Sequence, residues 1–157
     1  MNQVLDFIEM RIPANSEYVG VIRLTLSGIA NRMGFSYDDI EDLKIAVSEV
    51  INNAVQYIYK KSEKGFIEIG FTIFEDRLKV LISDQSNRFD IMNESKQPEL
   101  YKRNHPVEFL TGCGLGLYLI ETLMDEVHIQ HDDGVAVFMT KLLEREQVER
   151  NAKTVST

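Results

Sequence analysis

Apolar residues recur at a spacing of two along positions 4–12, with Val4, Ile8, Met10 and Ile12 on one side and Leu5 and Phe7 on the other. A period of two predicts a strand, and Pro13 ends it. The period then changes. Val19, Ile22, Leu26 and Ile29 recur at helical spacing within 16–33, and Gly34 is placed to stop that helix. Ser36 followed by Asp39 resembles a capping box, with the acid where Glu or Gln is commoner. It opens a second helix that runs to about residue 59, its buried stripe formed by Leu43, Val47, Val50, Ile51, Ala54 and Ile58.

Strict alternation returns at Ile67, Ile69, Phe71 and Ile73, which are interleaved with Glu68, Gly70 and Thr72. Glu75-Asp76 links this run to Leu78, Val80 and Ile82, a hairpin pattern that stops at Asp84. Residues 85–111 are polar, contain Pro98 and Pro106, and have no period. A connection that long inside a compact domain reads as a functional lid or a mobile segment. An apolar helix over 115–124 follows. Strands over 127–131 and 135–143 then form a last hairpin, with Asp132-Asp133-Gly134 as its turn. The order is strand, helix, helix, hairpin, loop, helix, hairpin. This predicts an α+β two-layer sandwich, in which a mixed, mostly antiparallel sheet is covered on one face by helices.

Composition narrows the classes. A chain of 157 residues favours one domain, taken as 1–143, with a charged tail over 144–157 that frays. A net charge of −8 disfavours nucleic acid as a direct partner. No apolar run is long enough for a membrane helix, and Asp6 and Glu9 stand where a leader would be basic and then apolar. The single cysteine, Cys113, fits a reducing compartment, so cytoplasmic residence is expected. His105, His128 and His131 lack the cysteine partners of a zinc site.

Three short stretches carry candidate chemistry. Glu49 and Asn53 are four apart on the second helix, on a face that also holds Ala46 and Gln56. Such a face is a solvated helix edge or a pair of oxygen donors turned toward a ligand. In the second case Glu49 can take a proton from an attacking hydroxyl, and Asn53 can give one oxygen to magnesium. Asp84 ends an apolar strand, either as an ordinary turn former or as a carboxylate at a pocket floor that accepts a base's exocyclic amine. Gly112-Cys113-Gly114-Leu115-Gly116-Leu117 runs into the third helix. Alternating glycines at a helix start make a tight turn, or let unpaired N–H groups approach a phosphate closely. Cys113, between two of them, reads as a small filler.

In that order the three stretches resemble the GHKL ATPase/kinase family, which includes histidine-kinase catalytic domains, gyrase, Hsp90 and MutL. Glu49 and Asn53 match its N box, Asp84 its first glycine box, and residues 112–117 its second. The resemblance spans nearly the whole chain and implies the GHKL (Bergerat) ATP-binding fold with ATP and Mg2+ as cofactors. It implies Glu49 as catalytic base and Asn53 as the Mg2+ ligand. Asp84 would read the adenine amine, with Thr140 near the base through water. Gly112, Cys113, Gly114, Leu115 and Gly116 would hold the phosphates beneath the 85–111 lid. One departure stands out: the family continues Asp-x-Gly-x-Gly, whereas this chain has Ser86 and Arg88 at the two glycine positions. A positive φ at Ser86 would strain the turn on the adenine side.

Residues 17–28, 40–49 and 114–127 narrow the likeness to the RsbW-type anti-sigma-B kinases. That resemblance implies a protein serine kinase of the cytoplasm that sequesters a stress-response sigma factor and phosphorylates its anti-anti-sigma antagonist on serine. It also implies a homodimer, for which the first helix with the first strand is the candidate surface. Arg23, on that helix among apolar neighbours, is the candidate contact for sigma factor or antagonist. Two other readings remain at this point. One is a non-catalytic, nucleotide-gated binding module of the same fold; the other is a detached histidine-kinase catalytic domain.

Overall fold

The computed structural model describes residues 3–60, 65–84, 99–100, 114–131 and 135–144. Strand β1 (Val4–Pro13) leads to a short 3-10 turn (Ser16–Tyr18) and helices α1 (Val19–Met33) and α2 (Tyr37–Lys60). Strands β2 (Phe66–Phe74), β3 (Arg77–Asp84) and β4 (Glu99–Leu100) follow, then α3 (Gly114–Leu123), β5 (Glu126–His131) and β6 (Val135–Leu142). The strands form one six-stranded sheet in the order β1-β2-β3-β6-β5-β4. All of its described pairings are antiparallel.

Local chemistry explains most boundaries. The Asn15 side chain accepts from the Glu17 N–H at 3.0 Å, which caps the 3-10 turn at the position where the sequence predicts the first helix to begin. α1 ends at Gly34, whose φ of 96° suits glycine. The Ser36 hydroxyl accepts from the Asp39 N–H at 3.2 Å and so caps α2. Two departures concern strands. The two-residue β4 lies inside the stretch read as a loop without period, because a pair this short is held by its partner β5 rather than by any local pattern. The faces of β1 separate only toward its end. Ile12 is buried, while Val4, Leu5, Phe7 and Ile8 are all exposed. The register shifts between Val4 and Asp6, and β1 is an edge strand, open on one side.

The core lies between the helices and one sheet face. Ile22 and Leu26 of α1, with Leu43, Val47, Val50, Ile51 and Ala54 of α2, meet Ile67, Ile69, Phe71, Val80, Ile82, Val137 and Met139. The helical stripes expected from the sequence are therefore the buried ones, except that the Ile58 side chain lies outside the described set. The opposite sheet face holds a second buried cluster of Leu81, Ala136 and Phe138. Among the described residues, no helix is long and apolar enough to cross a membrane. The tail from residue 145 and the turn at 132–134 lie outside the described residues.

Candidate active site

α2 sets the first part of the site. Its core stripe turns Val50 and Ala54 inward, and this brings Asn53 to the buried edge of the helix, only 8% exposed, while Glu49 one turn earlier is partly exposed. Ala46 falls wholly into the core and Gln56 stays exposed, so the face shared by these four residues runs from core to solvent. The Asn53 Nδ2 donates to the Glu49 carbonyl at 2.9 Å and reaches the Glu49 Oε1 at 3.4 Å. The nitrogen end of the amide is thereby spent within the helix, which leaves Oδ1 to face outward. An outward amide oxygen is a hard donor of the kind magnesium takes. Among the described residues no group of three or more His, Cys, Asp or Glu side chains is placed to hold a metal by itself. A magnesium ion held mainly by phosphate oxygens and water needs only one or two protein ligands, so Asn53 suits that arrangement.

Asp84 ends β3 opposite Ile67. Side chains two apart in a strand share a face, so Asp84 lies with Ile82 on the helix-covered side of the sheet. It is a buried carboxylate at the rim of an apolar core. α2 contacts both β3 and α3. The three sequence motifs thus sit on α2 and on two elements that contact it.

α3 begins at Gly114, inside the glycine motif. The N–H groups of a first helical turn have no partner within the helix and carry the positive end of its dipole. Gly112 and Cys113 lie outside the described residues, as do the side chains of Leu115 and Leu117. Ser86, Arg88 and the 85–111 stretch, Glu99–Leu100 apart, also lie outside them.

Thr140 is not brought to this site. It stands opposite Lys79 on β3, five residues from Asp84, which is about 17 Å along an extended strand. Five is odd, so the two side chains point to opposite faces. The Thr140 hydroxyl is buried on the face of the second cluster, with no hydrogen-bond partner among the described residues. The expectation that it helps to hold a base beside Asp84 is therefore corrected by strand parity.

Arg23 is exposed on α1, beside Val21 and Leu24, and Leu24 is 77% exposed. Lys141 belongs to no motif in the sequence. Its Nζ donates to the Leu123 carbonyl at 2.7 Å and lies 3.8 Å from Asp39 and 3.7 Å from Asp42. These partners are too distant in the chain for any spacing rule to reveal them.

Residues 12–141 match the family model of the histidine kinase-like ATPase domain. The serine-protein kinase RsbW of Bacillus licheniformis is 57% identical over 150 residues, covering 95% of this chain and 93% of that protein. The protein of the same name from Bacillus subtilis strain 168 is 54% identical over 153 residues, covering 96% and 94%. A crystal structure of the RsbU and RsbW domains of a Mycobacterium tuberculosis protein superposes with a TM-score of 0.60 at 20% identity. It covers 87% of this chain and 32% of that longer one, and at this identity it speaks for the fold alone.

Proposed function

The chain belongs to the RsbW serine-protein kinases within the histidine kinase-like ATPase family, and we propose that it is an ATP-dependent protein serine kinase that also acts as an anti-sigma factor. It holds a sigma-B-type stress sigma factor and inactivates the anti-anti-sigma antagonist by phosphorylating it on serine. The observation that supports the reading is that α2, which carries Glu49 and Asn53, contacts both the strand that ends in Asp84 and the helix that starts in the glycine motif.

In the proposed reaction the antagonist's serine Oγ forms a bond to the γ-phosphorus of ATP. The bond from that phosphorus to the β–γ bridging oxygen breaks, and ADP leaves. Glu49 accepts the serine proton. Asp84 accepts from the adenine amine. Gly112, Cys113, Gly114, Leu115 and Gly116 offer backbone N–H groups to the phosphates. Asn53 Oδ1 would be the protein ligand for Mg2+, which would supply positive charge against the phosphates. The rest of the protein's work is placement, which suits a reaction governed by position and electrostatics.

Two mutually exclusive partners then give a switch: the ATP-bound protein holds the sigma factor, and unphosphorylated antagonist displaces it. We place the switch in the cytoplasm. β1 supports a homodimer, because an open edge with Leu5 56% exposed is a surface that a second copy can cover. Arg23 beside exposed Leu24 supports a partner contact on α1. The test is phosphoserine on purified antagonist incubated with this protein and Mg-ATP; its absence, with ATP and antagonist both bound, contradicts the reading.

A further inference from the structure

We propose that Lys141 is a positioning residue for phosphoryl transfer, tying the end of α3 to the start of α2 so that the phosphate-binding helix start is held in register with Glu49. The inference rests on the kinase reading above. Three consecutive residues of β6 grip the corner between α3 and β5. The Asp125 N–H donates to the Thr140 carbonyl at 3.0 Å, the Leu142 N–H donates to Asp125 Oδ2 at 2.7 Å, and the Lys141 amine donates to the Leu123 carbonyl at 2.7 Å. Lys141 alone of the three reaches a second helix, through Asp39 and Asp42 in the first turns of α2.

The chemistry suits the place. Leu123 is the last residue of α3, where unpaired carbonyls carry the negative end of the dipole and favour a cation. The Lys141 side chain is only 12% exposed and that of Asp39 19%, so the contact is shielded from bulk water more than a surface ion pair is. The consequence is mechanical. α3 has ten residues, about 15 Å of helix, so a tilt of roughly 4° about its clamped end moves the other end by about 1 Å. A misplacement of that size can cost on the order of 100-fold in rate. In the proposed site ATP affinity is spread over α3, Asp84 and, through Mg2+, Asn53, whereas proton transfer to Glu49 depends on a single alignment. Loss of register should therefore fall on kcat more than on nucleotide binding.

The test compares the parent with Lys141→Met, Lys141→Arg and the double variant Asp39→Asn/Asp42→Asn. kcat and KM for ATP are measured on purified antagonist, and amide hydrogen exchange across α3 is measured on the same proteins. Lys141→Met should lower kcat by about 10- to 100-fold with KM within roughly threefold of the parent. Lys141→Arg should recover most of the lost rate, because its donors can still reach the carbonyl and both carboxylates. The double carboxamide variant, which leaves the Leu123 contact intact, should lower kcat in the same direction. Exchange at residues 118–123 should quicken in Lys141→Met, while that in β2 and β3 stays unchanged. A parent-like kcat in both Lys141→Met and the double variant overturns the inference. A parent that itself transfers no phosphate contradicts the kinase reading instead, and unchanged exchange at α3 then overturns the clamp on its own.

Discussion

Asn53 donates its side-chain amide to the Glu49 carbonyl at 2.9 Å, so the residue proposed to hold the metal is anchored to the residue proposed to take the proton. The anchor is short, one helical turn, and it fixes which end of the amide faces outward. Replacing Asn53 with Ala removes the Oδ1 donor together with the anchor. Mg-ATP affinity should fall by at least about tenfold, while ATP binding without magnesium changes far less. Isothermal titration with and without the metal separates the two; equal losses in both would remove the metal role.

Asp84 makes a selectivity prediction. A carboxylate that accepts from an exocyclic amine favours adenine over a base that presents a carbonyl there. Asp84→Ala should cost ATP roughly 1–3 kcal/mol of binding and narrow the ratio between ATP and GTP. An unchanged ratio measured by competition would move the adenine contact elsewhere.

Thr140 predicts a gain. Its buried hydroxyl has no partner among the described residues, and an unsatisfied buried polar group costs about 1–3 kcal/mol. Thr140→Val keeps the shape and discards that group, so the urea midpoint should rise, with ATP affinity unchanged. A loss of ATP affinity greater than about tenfold would restore Thr140 to the nucleotide site.

Leu24, on the exposed face of α1 with Arg23, tests the partner surface. Leu24→Glu and Arg23→Glu should leave ATP binding intact and weaken sigma factor or antagonist binding by about tenfold or more. Affinities for both partners equal to those of the parent would clear α1 of that role.

What was legible in the sequence was local. Gly34 as a helix stop, Ser36 as a cap and the alternation through Ile67, Ile69, Phe71 and Ile73 depend on a few neighbouring residues, and each stands where expected. Glu49, Asn53 and Asp84 are candidates that the sequence offers through their order along the chain, and α2 contacts β3 in the structure. What failed depended on pairing between distant segments. The two residues of β4 have no pattern of their own and exist through β5. The face of Thr140 is decided by its register against Lys79, which no stretch of β6 encodes alone. The reach of Lys141 to Leu123, Asp39 and Asp42 depends on three elements meeting.

The most direct measurement is transfer of labelled γ-phosphate from Mg-ATP to purified anti-anti-sigma antagonist, run in parallel with Glu49→Gln. The account predicts acid-stable label on serine, slowed by on the order of 10²- to 10⁴-fold in the variant, with ATP and sigma factor still bound. Label that forms equally fast in Glu49→Gln, or none in a parent that binds both ATP and antagonist, would contradict it.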